Sequence, residues 1–374
     1  MNTAKKVSIF IPVYKESSFL EQILTSLLND PYNEKEIFVV IDEPTQKSLE
    51  IVKKFSSKGI YFNIGSVRRG KVSALNEAIK ESSGDIFLFL DADVLISDLG
   101  KSFLESIVKE MEDAELIEIR KEVIRDSFIA KIVGYDYLGF TLTNLYFSRK
   151  IGQCLAINGA AFAIKRETFE ALGGFKRTVC EDLDIAIRSF ANGARFKFIN
   201  NPVVLTKAPS SLREWLNQRK RWAIGAALWI KDNFKTLKRA LRKYPRVIVL
   251  SILSSFPSIP LPLIGLFIPD EPFINTLYML LLSFSLTKSI LIFPTTMIFM
   301  LIPAIKSLIT LLGGFLAYSI VLYVVARRIR FHFSLLEFMI FYFVMTPLWL
   351  ILIVFHLFKV LIKRSCNLNI DWKV

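Results

Sequence analysis

Ile86-Phe-Leu-Phe-Leu-Asp-Ala-Asp93 is the stretch whose reading decides the fold. Five apolar residues in succession predict a strand buried on both faces, as in the interior of a parallel sheet. Asp91 and Asp93 then stand at i and i+2, on one side of the emerging backbone, at the end where open α/β sheets bind ligands. Hard oxygen donors of this sort hold Mg²⁺ or Mn²⁺ through one or two carboxylates plus a substrate diphosphate. Taken alone, the pair reads equally well as an acidic turn capping a strand.

The flanking sequence repeats the pattern. Val7–Val13 predicts a first buried strand, followed by Tyr14-Lys15-Glu16 and a helix from about Ser18 to Leu28. Ile37–Ile41 predicts a second strand, ending at Asp42; a helix over Lys47–Ser56 and a short strand at Ile60–Ile64 follow. Strand and helix alternate at βαβ spacing, which predicts a mostly parallel sheet with right-handed crossovers. Asp42 and Asp91 then occupy equivalent strand ends, and two acidic ends on one rim suggest a nucleotide site.

Arg68-Arg-Gly-Lys71 precedes a helix predicted to begin near Ser73, where free N–H groups and the helix dipole could receive phosphate; a solvated basic turn is the alternative. Asn158–Ile164 predicts a strand of small residues, then a helix to Leu172 closed by Gly173-Gly-Phe175. Cys180-Glu-Asp-Leu-Asp184 opens a further helix, where acidic residues also serve as plain caps. Ser211–Phe234 carries Trp215, Trp222 and Trp229 at steps of seven, around Gln218-Arg-Lys-Arg221. That spacing predicts an amphipathic helix lying at a membrane interface.

Composition divides the chain. Of 374 residues, 52% are hydrophobic, and the excess lies beyond Arg246. Val247–Ile268, Phe273–Phe293, Thr295–Ala326 and Leu335–Ile362 are each long enough to cross a hydrocarbon core of about 30 Å. Residues 1–210 balance 28 Lys+Arg against 28 Asp+Glu, whereas residues 211–246 carry 11 against 2. A basic belt directly before apolar spans favours an anionic lipid surface over nucleic acid. Cys154, Cys180 and Cys366 have no paired or metal-type spacing, which suits a reducing compartment. Only His332 and His356 are present, both in the apolar half, so carboxylates are the expected catalysts. The apolar run after Lys5-Lys6 is too short to predict a signal peptide.

Together these pieces resemble the membrane-bound family 2 inverting glycosyltransferases, among them cellulose, chitin and hyaluronan synthases and ceramide glucosyltransferase. The resemblance rests on Ile11-Pro-Val-Tyr-Lys-Glu16, Asp42, Gly70-Lys-Val-Ser-Ala-Leu-Asn76, Asp91-Ala-Asp93, Gly173-Gly-Phe175, Glu181-Asp182 and Gln218-Arg-Lys-Arg-Trp222, in family order. It implies a GT-A-like nucleotide-diphospho-sugar transferase domain over residues 1–210. A basic interfacial segment at 211–245, about four transmembrane helices at 246–362 and a cytosolic tail at 363–374 would follow.

The resemblance also implies roles. Tyr14, Glu16 and Asp42 would hold the nucleoside, Lys71 would lie near the base or diphosphate, and Asp91 would contact the ribose or metal. Asp93 would bind Mg²⁺ or Mn²⁺, and Asp182 would be the general base. Gln218 and Arg221 would attend the donor, Glu181 and Trp222 the acceptor. Expected partners are a nucleotide-sugar donor (a UDP-sugar), a glycan or lipid-linked acceptor and membrane lipid, with no nucleic acid. The expected product is a growing polysaccharide; transfer of one sugar to a membrane lipid is the alternative.

Several positions depart from the family pattern. Cys180 stands where a threonine is usual, and Glu43-Pro-Thr45 replaces a common second aspartate and glycine. No span precedes the catalytic domain in this sequence. Four spans with a cytoplasmic catalytic domain in the cell membrane leave Arg327-Arg328-Ile-Arg330 outside, against the positive-inside tendency.

Overall fold

A computed structural model describes residues 4–97, 102–256 and 295–362, with isolated positions between 258 and 279. β1 (Val7–Tyr14), α1 (Leu20–Asn29), β2 (Lys35–Asp42), α2 (Gln46–Phe55), β3 (Ile60–Gly65), α3 (Lys71–Glu81) and β4 (Ile86–Leu90) alternate as the apolar runs predict. β1 pairs parallel with β2 and β4, and β2 with β3. All five residues of β4 are buried.

β5 (Val94–Ile96), α4 (Phe103–Glu110), β6 (Leu116–Val123), α5 (Phe128–Lys150), β7 (Ala161–Lys165), α6 (Arg166–Ala171), α7 (Glu181–Ala191) and β8 (Phe196–Thr206) complete the domain. The eight strands run in the order β3-β2-β1-β4-β7-β6-β8-β5. β6 and β8 pair parallel, while β4–β7, β6–β7 and β5–β8 are antiparallel. The sheet is therefore mostly parallel, with crossovers feeding strand ends to one rim.

Alternation along the strands builds two different cores. Ile9, Ile11, Val39, Ile41 and Leu88 meet Leu20, Ile23 and Leu24 of α1 on one face. The other face is aromatic. Phe10 stacks on Phe38 at 5.3 Å, Phe89 on Phe162 at 4.9 Å, and Phe175 meets Phe89 edge-on at 4.9 Å. Each such ring contributes about 1.5–3 kcal/mol through burial. Phe175, delivered by Gly173-Gly174 at φ +77° and +70°, thereby ties the segment before α7 to β4.

Two boundaries differ from the sequence expectation. α3 begins at Lys71, two residues early, because Gly70 turns the chain at φ +93° directly before it. Asn158–Ala160 forms a turn instead of the first residues of β7. The backbone N–H of Gly159 goes to Asp182 and that of Ala160 to Asn158 Oδ1, so neither can join the ladder.

α8 (Leu212–Asp232), α9 (Phe234–Lys243) and α10 (Pro245–Ser255) follow β8. Two tryptophans of the α8 stripe are engaged within the domain. Trp215 is 1% exposed, and Trp229 Nε1 donates to Leu183 O at 3.1 Å. α9 likewise sets Ala240 against Phe147, Leu155 and Val247, leaving Lys235, Lys238, Arg239, Arg242 and Lys243 exposed.

The described residues fall into two compact units, one within 1–251 and 351–374, the other within 252–350. Among them, the helices Ala304–Arg328 and Leu335–Ile362 are long and apolar enough to cross a membrane, with mean hydropathies of 2.2 and 2.4. The second contains a π-helical turn at Phe341–Met345. Within the second unit, Phe315 stacks on Phe338 at 5.8 Å and meets Tyr342 at 5.5 Å. Most of the expected span Phe273–Phe293, part of Val247–Ile268 and the tail 363–374 lie outside the described residues.

Candidate active site

The rim formed by β1, β2 and β4 opens into a cavity of about 410 Å³ lined by Tyr14, Glu16, Asp42, Lys71, Asp91 and Asp93, among others. In-register pairing of β1 with β2 sets Tyr14 and Asp42 side by side. The Tyr14 ring is half exposed, with the Arg68 guanidinium 4.4 Å from its centroid and its hydroxyl donating to Glu43 Oε2 at 3.1 Å. Glu16 accepts from Thr45 Oγ1 at 2.7 Å.

Asp42 is 6% exposed and already engaged. Its Oδ2 accepts the backbone N–H groups of Arg69 and Gly70 at 2.9 and 3.0 Å, and its Oδ1 accepts Arg69 Nε at 2.9 Å. The carboxylate thus fixes the corner that presents Arg68 and Lys71 to the cavity.

Lys71 joins two segments 90 residues apart in sequence. Its Nζ lies 2.8 Å from Asp91 Oδ1 and 2.7 Å from Glu181 Oε1. These carboxylates raise its pKa against the opposing pull of burial, so Lys71 is cationic throughout the physiological range. Glu181, 8% exposed, is turned to this lysine.

Asp93 is an exposed side chain on the cavity wall, and the protein around it still limits its hydration. That loss of hydration and the charge of Asp91 push its carboxyl up to about 6, against Lys71 and Arg221, which pull it down. Two carboxylates that repel one another across a single residue fit a divalent cation. Among the described residues no third His, Cys, Asp or Glu completes a cluster around them, which leaves the remaining positions to a ligand diphosphate and water.

Asp182 sits in the first turn of α7. Gly159 N–H donates to its Oδ2 at 2.9 Å and Leu183 N–H to its Oδ1 at 2.8 Å, fixing the carboxylate plane. A Cβ at residue 159 would lie 2.9 Å from Oδ2, so only glycine allows this approach. Burial foremost, then the neighbouring Glu181, raises Asp182 to about 6, while Lys71 and the two N–H donors oppose the rise. A carboxylate with that pKa is ionised at pH 7 and basic enough to take a proton.

From α8, Arg221 exerts its charge on Asp93 and on Cys180. Gln218 Oε1 is buried without a hydrogen-bond partner among the described residues. The Trp222 ring lies 4.6 Å from the guanidinium of Arg219, which is itself 1% exposed and ion-paired with Asp136. The structure thus joins Lys71, Asp91 and Glu181 directly, with Asp93, Asp182 and Arg221 in electrostatic contact around them. Tyr14, Glu16 and Asp42 occupy the far side of the cavity.

Sequence reasoning missed a buried layer beneath this site. Lys121 Nζ meets Glu118 Oε1 at 2.8 Å, and Asn144 Nδ2 donates to Glu118 Oε2 at 2.7 Å. Glu118 also accepts the backbone N–H of Asn158, next to the glycine that holds Asp182. Burial lifts the Glu118 carboxyl and lowers the Lys121 ammonium, and Asp182 and Asp91 both act on that ammonium. The alternation in Leu116-Ile-Glu-Ile119 is the one sequence signal that pointed to this strand.

The chain is 28% identical over 235 residues to "Probable glycosyltransferase YdaM" of Bacillus subtilis (strain 168), an alignment covering 60% of this chain and 56% of that one. It is 23% identical over 248 residues to the poly-beta-1,6-N-acetyl-D-glucosamine synthase of Staphylococcus aureus (strain COL), covering 65% and 60%. This chain thus spans less than two thirds of the length of these curated relatives. Among solved structures, a mannosyltransferase from Pyrobaculum calidifontis, in complex with GDP-Man and Mn²⁺, superposes with a TM-score of 0.52 at 20% identity. That match covers 68% of this chain and 73% of the other, and supports the GT-A-like fold. Residues 8–197, half of the chain, match the profile of glycosyl transferase family 2, and the chain belongs to that family.

Proposed function

We propose that the protein is a metal-dependent inverting glycosyltransferase that moves a sugar from a UDP-sugar to a growing glycan at the membrane. The observation that carries the reading is the Lys71 bridge between Asp91 and Glu181, which brings a diphosphate-binding rim beside a carboxylate fit to act as base. Tyr14, Glu16 and Asp42 bound the nucleoside side of the cavity, with the Tyr14–Arg68 pair offering a flat cationic surface to a base.

Asp91 and Asp93 would hold Mg²⁺ or Mn²⁺, which when bound supplies Lewis-acid stabilisation of the diphosphate. Lys71 and Arg221 add positive charge where the leaving diphosphate accumulates negative charge. Asp182 accepts the proton of the acceptor hydroxyl. The acceptor oxygen forms its bond to the anomeric carbon as the bond from that carbon to the diphosphate oxygen breaks. A single displacement inverts the carbon, and no protein nucleophile is consumed. Gln218 Oε1 is an acceptor awaiting a donor, and the Trp222 indole offers a face to the acceptor sugar.

Two apolar helices support membrane association, as do the exposed cations of α9, which suit anionic headgroups. Polymer growth is supported by the kinship with poly-N-acetylglucosamine synthases, which makes UDP-N-acetylglucosamine the first donor to test. Membranes containing the protein, given radiolabelled UDP-sugars one at a time, should yield a ladder of products. A single lipid-extractable product would refute chain growth. Asp182→Asn should lower transfer by about 10²–10⁴-fold while nucleotide binding persists; retained turnover would remove Asp182 from the role of base.

A further inference from the structure

Gln218, Arg221, Trp222, Gly225 and Trp229 fall on one face of α8 by their three- and four-residue spacing. That face is fastened to the start of α7 at two points, one on each side of Asp182. At the first, Gly225 is buried, and a Cβ built on it would lie 2.1 Å from Cys180 Sγ. The thiol fills the space a side chain would need. At the second, Trp229 Nε1 donates to Leu183 O at 3.1 Å. Cys180 and Leu183 are the residues flanking Glu181-Asp182. The helix with the Gln218–Trp222 motif and the segment with the base are therefore locked together by groups that take no part in the chemistry.

We infer that Gly225 and Trp229 are positioning residues that hold Arg221 and Trp222 at a fixed offset from Asp182. The inference rests on the proposed base. In this arrangement the acceptor sugar is carried by α8, while its hydroxyl must reach a carboxylate on α7. Any slip between the two helices separates nucleophile from base. Opening a 2.1 Å contact to an ordinary separation of about 3.6 Å takes about 1.5 Å of movement, shared between the Cys180 side chain and the two helices. A misplacement of about 1 Å can cost on the order of 100-fold in rate. The nucleoside side of the cavity lies on β1, β2 and α3, and α8 reaches the donor only towards its diphosphate, so binding of the nucleoside monophosphate, the nucleotide to titrate, should be spared.

A size swap tests this. Gly225→Ala should lower kcat for transfer by at least about tenfold, with nucleotide affinity within about twofold of the parent. Removing the sulfur by Cys180→Ala leaves only Val179 Cγ1 at 3.6 Å and the residue-180 Cβ at 3.7 Å near the new methyl. In the Cys180→Ala background, Gly225→Ala should therefore cost less than about threefold, a coupling a double-mutant cycle reads directly. Trp229→Phe, which loses the N–H together with part of the ring, should lower kcat by at least about fivefold, the worth of one hydrogen bond. Equal losses from Gly225→Ala in both backgrounds, or parental kcat in Gly225→Ala, would overturn the inference. Asp182→Asn assayed alongside separates the two ideas. If that variant turns over normally, the base assignment fails whatever the size swap shows.

Discussion

Replacing Lys71 by Met removes a cation that contacts both acidic segments, and its main consequence should be a displaced pH profile. Lys71 sits 2.8 Å from Asp91 and 2.7 Å from Glu181 and holds down the pKa of Asp182, which burial and Glu181 raise to about 6. A nearby cation favours the ionised carboxylate, so its loss moves the pKa up. Direct cation contacts shift carboxylates by about 1–3 units; Lys71 reaches Asp182 without a direct bond, so about 1 unit is expected. The base must be ionised to act, and activity should rise with pH through the shifted value. At pH 6.5 the ionised fraction falls from about three quarters at a pKa of 6 to about one quarter at 7.

The assay is kcat for labelled-sugar transfer from pH 5 to 9 at saturating donor, comparing midpoints and not absolute rates, since Lys71→Met also weakens diphosphate neutralisation. Glu181, left buried without its partner, should lower stability as well. The usual cost is about 3–5 kcal/mol for a fully buried pair, and less here because the Lys71 and Glu181 side chains are 23% and 11% exposed. An acidic limb that stays at the parent's midpoint, or moves down, would refute the electrostatic link between Lys71 and the base.

Other consequences are as direct. Gly159→Ala puts a methyl against Asp182 Oδ2 and should reduce kcat by on the order of 100-fold without changing nucleotide affinity, as initial rates and a binding titration would show. Chelation of divalent cations should stop transfer, and added Mn²⁺ or Mg²⁺ should restore it; undiminished activity in chelator would remove the metal role from Asp91 and Asp93. Glu118→Gln leaves the Lys121 ammonium buried without its counter-charge and should depress the apparent melting temperature more than Glu118→Gln/Lys121→Met, in which that charge is gone. Thermal unfolding of the purified variants compares them.

The front half of the fold was legible because its strands are uninterrupted apolar runs that end on acidic residues. Val7–Val13, Ile37–Ile41 and Ile86–Leu90 need no tertiary information to be read as buried, and their carboxyl ends follow by topology. The middle of the domain resisted for the opposite reason. β6 carries Glu118, Arg120 and Lys121, all buried, and a strand that buries charge looks like a surface segment until its internal pair is seen. α5 buries residues around most of its circumference, so it shows no polar face to set its period.

α8 shows the consequence of that gap. Tryptophans at steps of seven say that three rings share a face, but not what covers it. The cover for Trp215 and Arg219 includes Asp136 on α5, an element the sequence did not reveal. Glu181 shows the same limit at the scale of one side chain. Its place beside Asp182 was visible in sequence and suggested the acceptor, yet its partner is Lys71, 110 residues earlier. What a motif residue faces is decided by the crossover that brings a distant element to it, and here that crossover makes Glu181 part of the charge balance that sets the basicity of Asp182.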